Sequence, residues 1–291
     1  MQNRYMNKEK ILIKSPFFRE EIERSGGSCV SMYKRYSRFF LMFGNFTRKF
    51  DLLYWFNLNP QLRSIDKDTI IVFDGGARRN LLKWISRFYV QKRLIFYYWN
   101  PVSLSFNPRD IPKEFEKWSY SPNDCEKFDL KYNSTFFFPE YAALVKNPPI
   151  ERDVFFIGIN KNRLEKVKQY ESQFAKLGLS TEFRIVENKK NRLTYAEVLE
   201  KDARSRCIFD YYTNPQAGLS LRAMEALFLE KKLITNNESI LDYDFFNSDN
   251  IFVLGQRKIS ELNDFVRSPY SNISEEIKQR YSFDSWLDNF Q

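Results

Sequence analysis

The chain contains no histidine. Any catalytic base must then be a carboxylate, lysine, tyrosine or cysteine, and His-dependent triads and zinc sites are excluded. Cysteine is nearly as scarce: Cys29, Cys125 and Cys207 stand far apart and odd in number. They make neither a disulfide framework nor a CxxC metal knuckle, which points to a reducing compartment. With nine glycines in 291 residues, glycine-rich phosphate loops must be few. No apolar run approaches bilayer length, and the opening MQNRYMNKEKILIKSPFF lacks the apolar core of a signal peptide. The expected location is the cytoplasm.

Aromatic residues, by contrast, are abundant. The 29 Phe and 17 Tyr within a 43% hydrophobic chain are ample for packed cores, and the length suits two α/β domains. The net charge of +9 is dispersed along the chain rather than gathered in a tail. It favours an anionic partner: a nucleotide, a phospholipid surface or a nucleic acid. No recognised nucleic-acid module is present, so the nucleic-acid reading is the weakest of the three. Val30 to Phe46 mixes aromatics with Lys34, Arg35 and Arg38. It reads as an amphipathic helix packed on a sheet, with a membrane-surface helix as the alternative.

Buried parallel strands show as continuous apolar, β-branched runs. Thr69 to Phe73 and Arg93 to Tyr98 fit, with a helix predicted between them from Arg78 to Tyr89. Lys10 to Lys14 is a first strand, and Asn133 to Phe138 a last one before Pro139. After Pro148-Pro149 the rhythm restarts with Asp153 to Ile157, a helix Leu164 to Leu177 and a strand Leu179 to Val186. The expected fold is α/β: two Rossmann-like domains meeting near Pro148 and facing a central cleft. They span residues 1–148 and 149–270, with a terminal helix at 271–291 packing back on the N-terminal domain.

Ligands of such folds sit beyond the carboxyl ends of the strands. In the first domain that rule selects Asp74, Gly75, Gly76, Trp99 and Asn100. Asp74 capping the helix behind it is an equal alternative. In the second domain, Gly158 allows close backbone approach, and Lys161 and Arg163 can reach diphosphate oxygens. The central stretch is Cys207 to Asn236: a strand ending in Asp210, a polar loop with Gln216 and Gly218, a helix opening near Ser220, and a second strand. The helix N-terminus favours an anion, with Ser220 as its cap. Arg222 and Glu225 lie one turn apart, so Glu225 either pairs with Arg222 or accepts from a ribose diol.

The segment Gly218 to Thr235 (GLSLRAMEALFLEKKLIT) resembles the donor-binding segment of bacterial nucleotide-sugar glycosyltransferases of the GT-B fold. IVFDG, IFYYWNPVS, WSYSPNDC and SILDYDFFNSDNIFVL are similar to the small capsule and lipopolysaccharide members of that group. The resemblance implies a hexosyltransferase-like enzyme that moves a sugar from a nucleotide-sugar donor to a glycan or lipid-linked acceptor. It implies that Glu225 binds the donor ribose. Gly218, Leu219 and Ser220 would contact the diphosphate, and Lys161 and Arg163 would supply cations. Retaining members often carry a second glutamate eight residues earlier, where this chain has Ala217, with Gln216 beside it. An inverting reaction needs a base from the first domain, with Asp74 first and Glu140 second. Asp242-Tyr243-Asp244 spells the DxD of metal-dependent GT-A enzymes, a match expected by chance among this many acids. Neither metal nor other cofactor is expected. A non-catalytic scaffold of the same fold is the alternative reading. The resemblance and the charge together imply a cytoplasmic protein touching the anionic inner face of the membrane.

Overall fold

The computed structural model describes residues 11–14, 18–30, 67–75, 77–145, 148–160, 162–186, 192–213 and 218–290. The chain divides into two compact units, Met1–Asn133 and Ser134–Phe290.

In the first unit, strands β1 (Ile11–Lys14), β2 (Ser28–Cys29), β3 (Thr69–Phe73), β4 (Arg93–Tyr98), β5 (Phe115–Ser119) and β6 (Lys131–Tyr132) form one parallel sheet. Its order is β2-β1-β3-β4-β5-β6. Helix α1 (Arg19–Arg24) precedes β2, α2 (Arg79–Phe88) connects β3 to β4, and α3 (Pro122–Phe128) connects β5 to β6. β3 is buried along its whole length, as its unbroken TIIVF predicts. α2 buries Leu81, Leu82 and Ile85, residues spaced along one helical stripe, against Val72, Phe96 and Tyr98 of the sheet.

The second unit follows the same plan. Helix α4 (Pro139–Leu144) comes first. Then come β7 (Arg152–Ile159), α5 (Leu164–Lys176), β8 (Thr181–Val186), α6 (Tyr195–Ala203), β9 (Ser205–Asp210), α7 (Leu221–Phe228), β10 (Lys232–Thr235) and β11 (Ile251–Val253). All its strands run parallel, in the order β11-β10-β9-β7-β8. Read from the unit's own first strand, this is the order 2-1-3-4-5 of doubly wound nucleotide-binding sheets. The chain passes to the opposite side of β7 between β8 and β9. A crevice therefore opens at the carboxyl ends of β7 and β9, where ligands of such sheets sit.

The division between the units falls before Pro148-Pro149, because Ser134 to Phe138 is tied into the second unit. The Thr135 hydroxyl donates to the Leu219 carbonyl at 2.6 Å, and Phe137 exchanges backbone hydrogen bonds with Tyr281 and Phe283. The terminal helices α9 (Glu275–Arg280) and α10 (Phe283–Asp288), which follow α8 (Leu262–Arg267), pack on this run. Trp286 is fully buried with its ring 4.5 Å from that of Phe136. The terminal segment thus packs on Phe136 to Phe138, residues expected within 1–148 that group with the second unit. The strand expected over Asn133 to Phe138 is also absent. The run is buried, but its one β-bridge is Phe137 to Ser282, outside either sheet. An apolar run reads alike whether a sheet or a helix pair covers it.

Candidate active site

The crevice of the second unit is built by side chains converging from β7, β9, α5 and α7. β9 ends in Asp210, which is 2% exposed. A buried carboxylate must be paired or hydrogen-bonded, and Asp210 is both. It accepts the Ser220 hydroxyl at 2.5 Å and lies 3.5 Å from Arg222 Nη1. Ser220 is the N-cap of α7, and its Oγ accepts from the Ala223 amide at 3.2 Å. Its hydroxyl therefore links the strand end to the helix start, which fixes where the helix N-terminus points. The carbonyl of Gly218 receives the Tyr212 hydroxyl and the Asn237 amide, and Leu219 is buried.

Arg222 also donates to the carbonyl of Ile157 on β7. Arg163 opens α5 and reaches the same strand end. Its Nε donates to the Ile159 carbonyl and its Nη1 to the Tyr211 carbonyl, each at 2.9 Å. Both guanidiniums lie over the ring of Phe156, at 5.2 Å for Arg163 and 5.4 Å for Arg222. A Cβ on Gly158 would force the end of the Arg163 guanidinium to shift, since it would collide with Nη2. The group that makes a close approach to Gly158 in the structure is an arginine side chain. Burial first, and then the neighbouring charge of Arg222, pull the Arg163 guanidinium down to about 10. The crevice holds two partly desolvated cations against the single charge of Asp210, an arrangement suited to an anion.

Glu225 sits elsewhere. It is 3% exposed on the inner face of α7, among Ala223, Met224 and Leu227. Arg222 hydrogen-bonds to Asp210 and Ile157 and acts on Glu225 through its charge, while Glu225 takes a hydrogen bond from Tyr195, a partner the sequence reading does not include. Burial raises the Glu225 carboxyl to about 7, against the opposing pull of Arg222 and Tyr195. Asp202 on α6, 2% exposed, is also raised well above the ordinary carboxylate value, by burial first and then by Glu225, and its Oδ2 has no hydrogen-bond partner among the described residues. These two acids are buried together and interact through their charges.

In the first unit, Asp74 follows β3 and is 4% exposed. Its carboxylate accepts the backbone amides of Trp99 and Asn100 at 3.1 and 3.3 Å, and the Asn100 side-chain amide on both oxygens. It ties the end of β3 to the turn after β4. The expected capping of α2 is not what it does, since Arg78 occupies the cap position with no side-chain bond. Gly75, Trp99 and Asn100 gather at this same edge, with the Trp99 ring 5.5 Å from that of Phe18. Glu140 is exposed in the first turn of α4, and so belongs to the second unit rather than to the first domain. Asp244 of the DxD triplet accepts from Arg280 and Tyr281, each at 2.6 Å. Among the described residues no three acids or thiols gather as a metal-ion site. Gly76, Lys161 and Gln216 lie outside the described residues, as does most of the Val30 to Phe46 stretch.

Asp210 is the residue that sequence reading left without a role. The signal was present: an acid closing a buried strand, with a serine and an arginine opening the next helix.

No protein-family model matches the chain, and no curated protein is similar to it in sequence. Its structure is similar to that of HepE from Anabaena in complex with UDP, with 12% identity, 96% of this chain and 97% of that one covered, and a TM-score of 0.52. It is also similar to the lipopolysaccharide outer core galactosyltransferase WaaB, with 12% identity, coverage of 92% and 84%, and a TM-score of 0.48. A third is AviGT4, a glycosyltransferase involved in avilamycin A biosynthesis, with 10% identity, coverage of 77% and 83%, and a TM-score of 0.47. The likeness to HepE shows the fold, two Rossmann-like units of the GT-B type. Among the described residues no helix is long and apolar enough to cross a membrane.

Proposed function

We propose that the chain is a glycosyltransferase that takes a sugar from a nucleoside-diphosphate donor and passes it to a glycan or lipid-linked acceptor in cell-surface polysaccharide synthesis. The observation that carries this reading is the pair Arg163 and Arg222, held over Phe156 at the point where the strand order of the second unit reverses. A departing nucleoside diphosphate gains negative charge as the glycosidic bond breaks. Two pre-positioned guanidiniums stabilise that charge without reorganising at the moment of reaction. The α7 N-terminus adds its dipole. HepE, a protein of the same fold, binds UDP.

In this reading the diphosphate rests on Arg163, Arg222 and the first-turn amides of α7, with Lys161 and Gln216 as further contacts. Metal is dispensable because arginine supplies the counter-charge. The acceptor belongs to the first unit, at the edge holding Gly75, Trp99 and Asn100, with Gly76 as a further contact. Peripheral contact with an anionic membrane remains part of the proposal and rests on the basic charge of the chain.

A thermal-shift screen of UDP, GDP, CMP and dTDP sugars, with and without EDTA, tests the donor class and the metal need together. Saturation at 100 times Kd adds about 2.7 kcal/mol of stability. One nucleotide class should raise Tm equally in both series. No shift with any donor removes the proposal, and a shift abolished by EDTA removes its metal-free part.

A further inference from the structure

Asp210 has no place in the resemblance that pointed to this site, yet it is the hub of the site's geometry. It closes β9 at the strand reversal, in register with Thr235 of β10 and two residues before Tyr212. Tyr212 is itself fixed by reciprocal bonds with Asn236, at 2.7 Å from its amide and 2.9 Å to its carbonyl. Its two carboxylate oxygens are divided between two jobs: Oδ2 takes the Ser220 hydroxyl and Oδ1 faces Arg222. A long arginine side chain has many rotamers, and fixing it costs entropy on ligand binding unless it is already held. Arg222 is held at both ends of its guanidinium, by Asp210 and by the Ile157 carbonyl. Arg163 instead donates its hydrogen bonds to backbone carbonyls and feels Asp210 through charge, so Asp210 is the side chain whose removal directly unpairs Arg222.

Resting on the donor-site reading, we infer that Asp210 is a positioning residue: it holds Arg222 ready for the donor diphosphate and fixes the start of α7 through Ser220. It touches no substrate. A structural acid in the same place would lower stability without regard to Arg222, and a positioning acid acts through Arg222. That difference is measurable.

The test is a double-mutant cycle on nucleotide affinity, using Asp210→Asn, Arg222→Gln and the double variant, with UDP, GDP, CDP and dTDP as titrants in calorimetry. Asparagine keeps an oxygen for Ser220, so the helix cap survives; Asp210→Ser is the second variant should the first not fold. Asp210→Asn should weaken the preferred nucleotide about tenfold in the presence of Arg222, and less than about twofold in the Arg222→Gln background. An equal loss in both backgrounds makes Asp210 structural and overturns the inference. Unchanged affinity in Asp210→Asn overturns it as well. If the unaltered chain binds none of the four, the donor-site reading fails and takes this role with it, an outcome distinct from the other two.

Discussion

Arg163 lies directly against Gly158, five residues earlier at the end of β7, so closely that no other residue type fits there without moving the guanidinium. The glycine serves an arginine rather than a turn. Gly158→Ala should therefore displace Arg163 and weaken nucleotide binding about tenfold, the scale of one charged hydrogen bond. Global stability should change far less than affinity, since Gly158 is only partly buried. Calorimetry beside a thermal melt separates the two effects, and a variant with native affinity would show that Arg163 is not part of the site.

The buried acids give a pH signature. The Glu225 carboxyl is raised to about 7, so the stability linked to its proton is fully present below the ordinary carboxyl range. It is lost as pH climbs through 7, and Asp202, raised in the same direction, adds to the loss. Glu225→Gln keeps a neutral group facing Tyr195 and should flatten the fall in Tm between about pH 5 and 8. Parallel Tm curves for the two proteins across that range would show that Glu225 is ionised throughout.

Asp74 behaves as a latch in the geometry, with both oxygens occupied by Trp99 and Asn100. Asp74→Asn exchanges an acceptor for a donor against those groups and should cost about 1–3 kcal/mol. The urea midpoint should fall while nucleotide affinity stays unchanged. Catalytic base duty for Asp74 would instead show as lost turnover at undiminished stability.

Glu116 gives the opposite acid response. Burial alone would raise it, but hydrogen bonds from Arg93 and Lys131 outweigh burial and hold it at about 2. Its contribution is present above the ordinary glutamate range and is lost as pH falls toward 2. Glu116→Gln should lower Tm at pH 7 and approach the unaltered chain near pH 2. A constant offset between the two proteins would mean that the ion pairs contribute nothing.

These residues also mark what the sequence makes legible. β3 and β4 were predicted to the residue because strands buried on both faces carry an unbroken apolar code. The two-unit α/β plan followed from the repeat of that code. The Asn133 to Phe138 run carried the same code for a different reason, its burial under Trp286 and Phe283. That Arg163 and Arg222 converge on Phe156 is legible only in part, because a cation after a strand end or at a helix start is common and its neighbours across the sheet are set by the fold. The Tyr195 partner of Glu225 is not legible: helical spacing says which residues share a face, but not what that face meets. Asp210 was hidden for a similar reason, since its partners lie 10 and 12 residues away through a loop.

The account stands or falls on where a nucleoside diphosphate binds. The most direct measurement is a crystal structure of the chain with the nucleotide that gives the largest thermal shift. The diphosphate should lie within hydrogen-bond reach of the guanidiniums of Arg163 and Arg222, at the carboxyl ends of β7 and β9. A nucleotide bound elsewhere, with both arginines untouched, would contradict it.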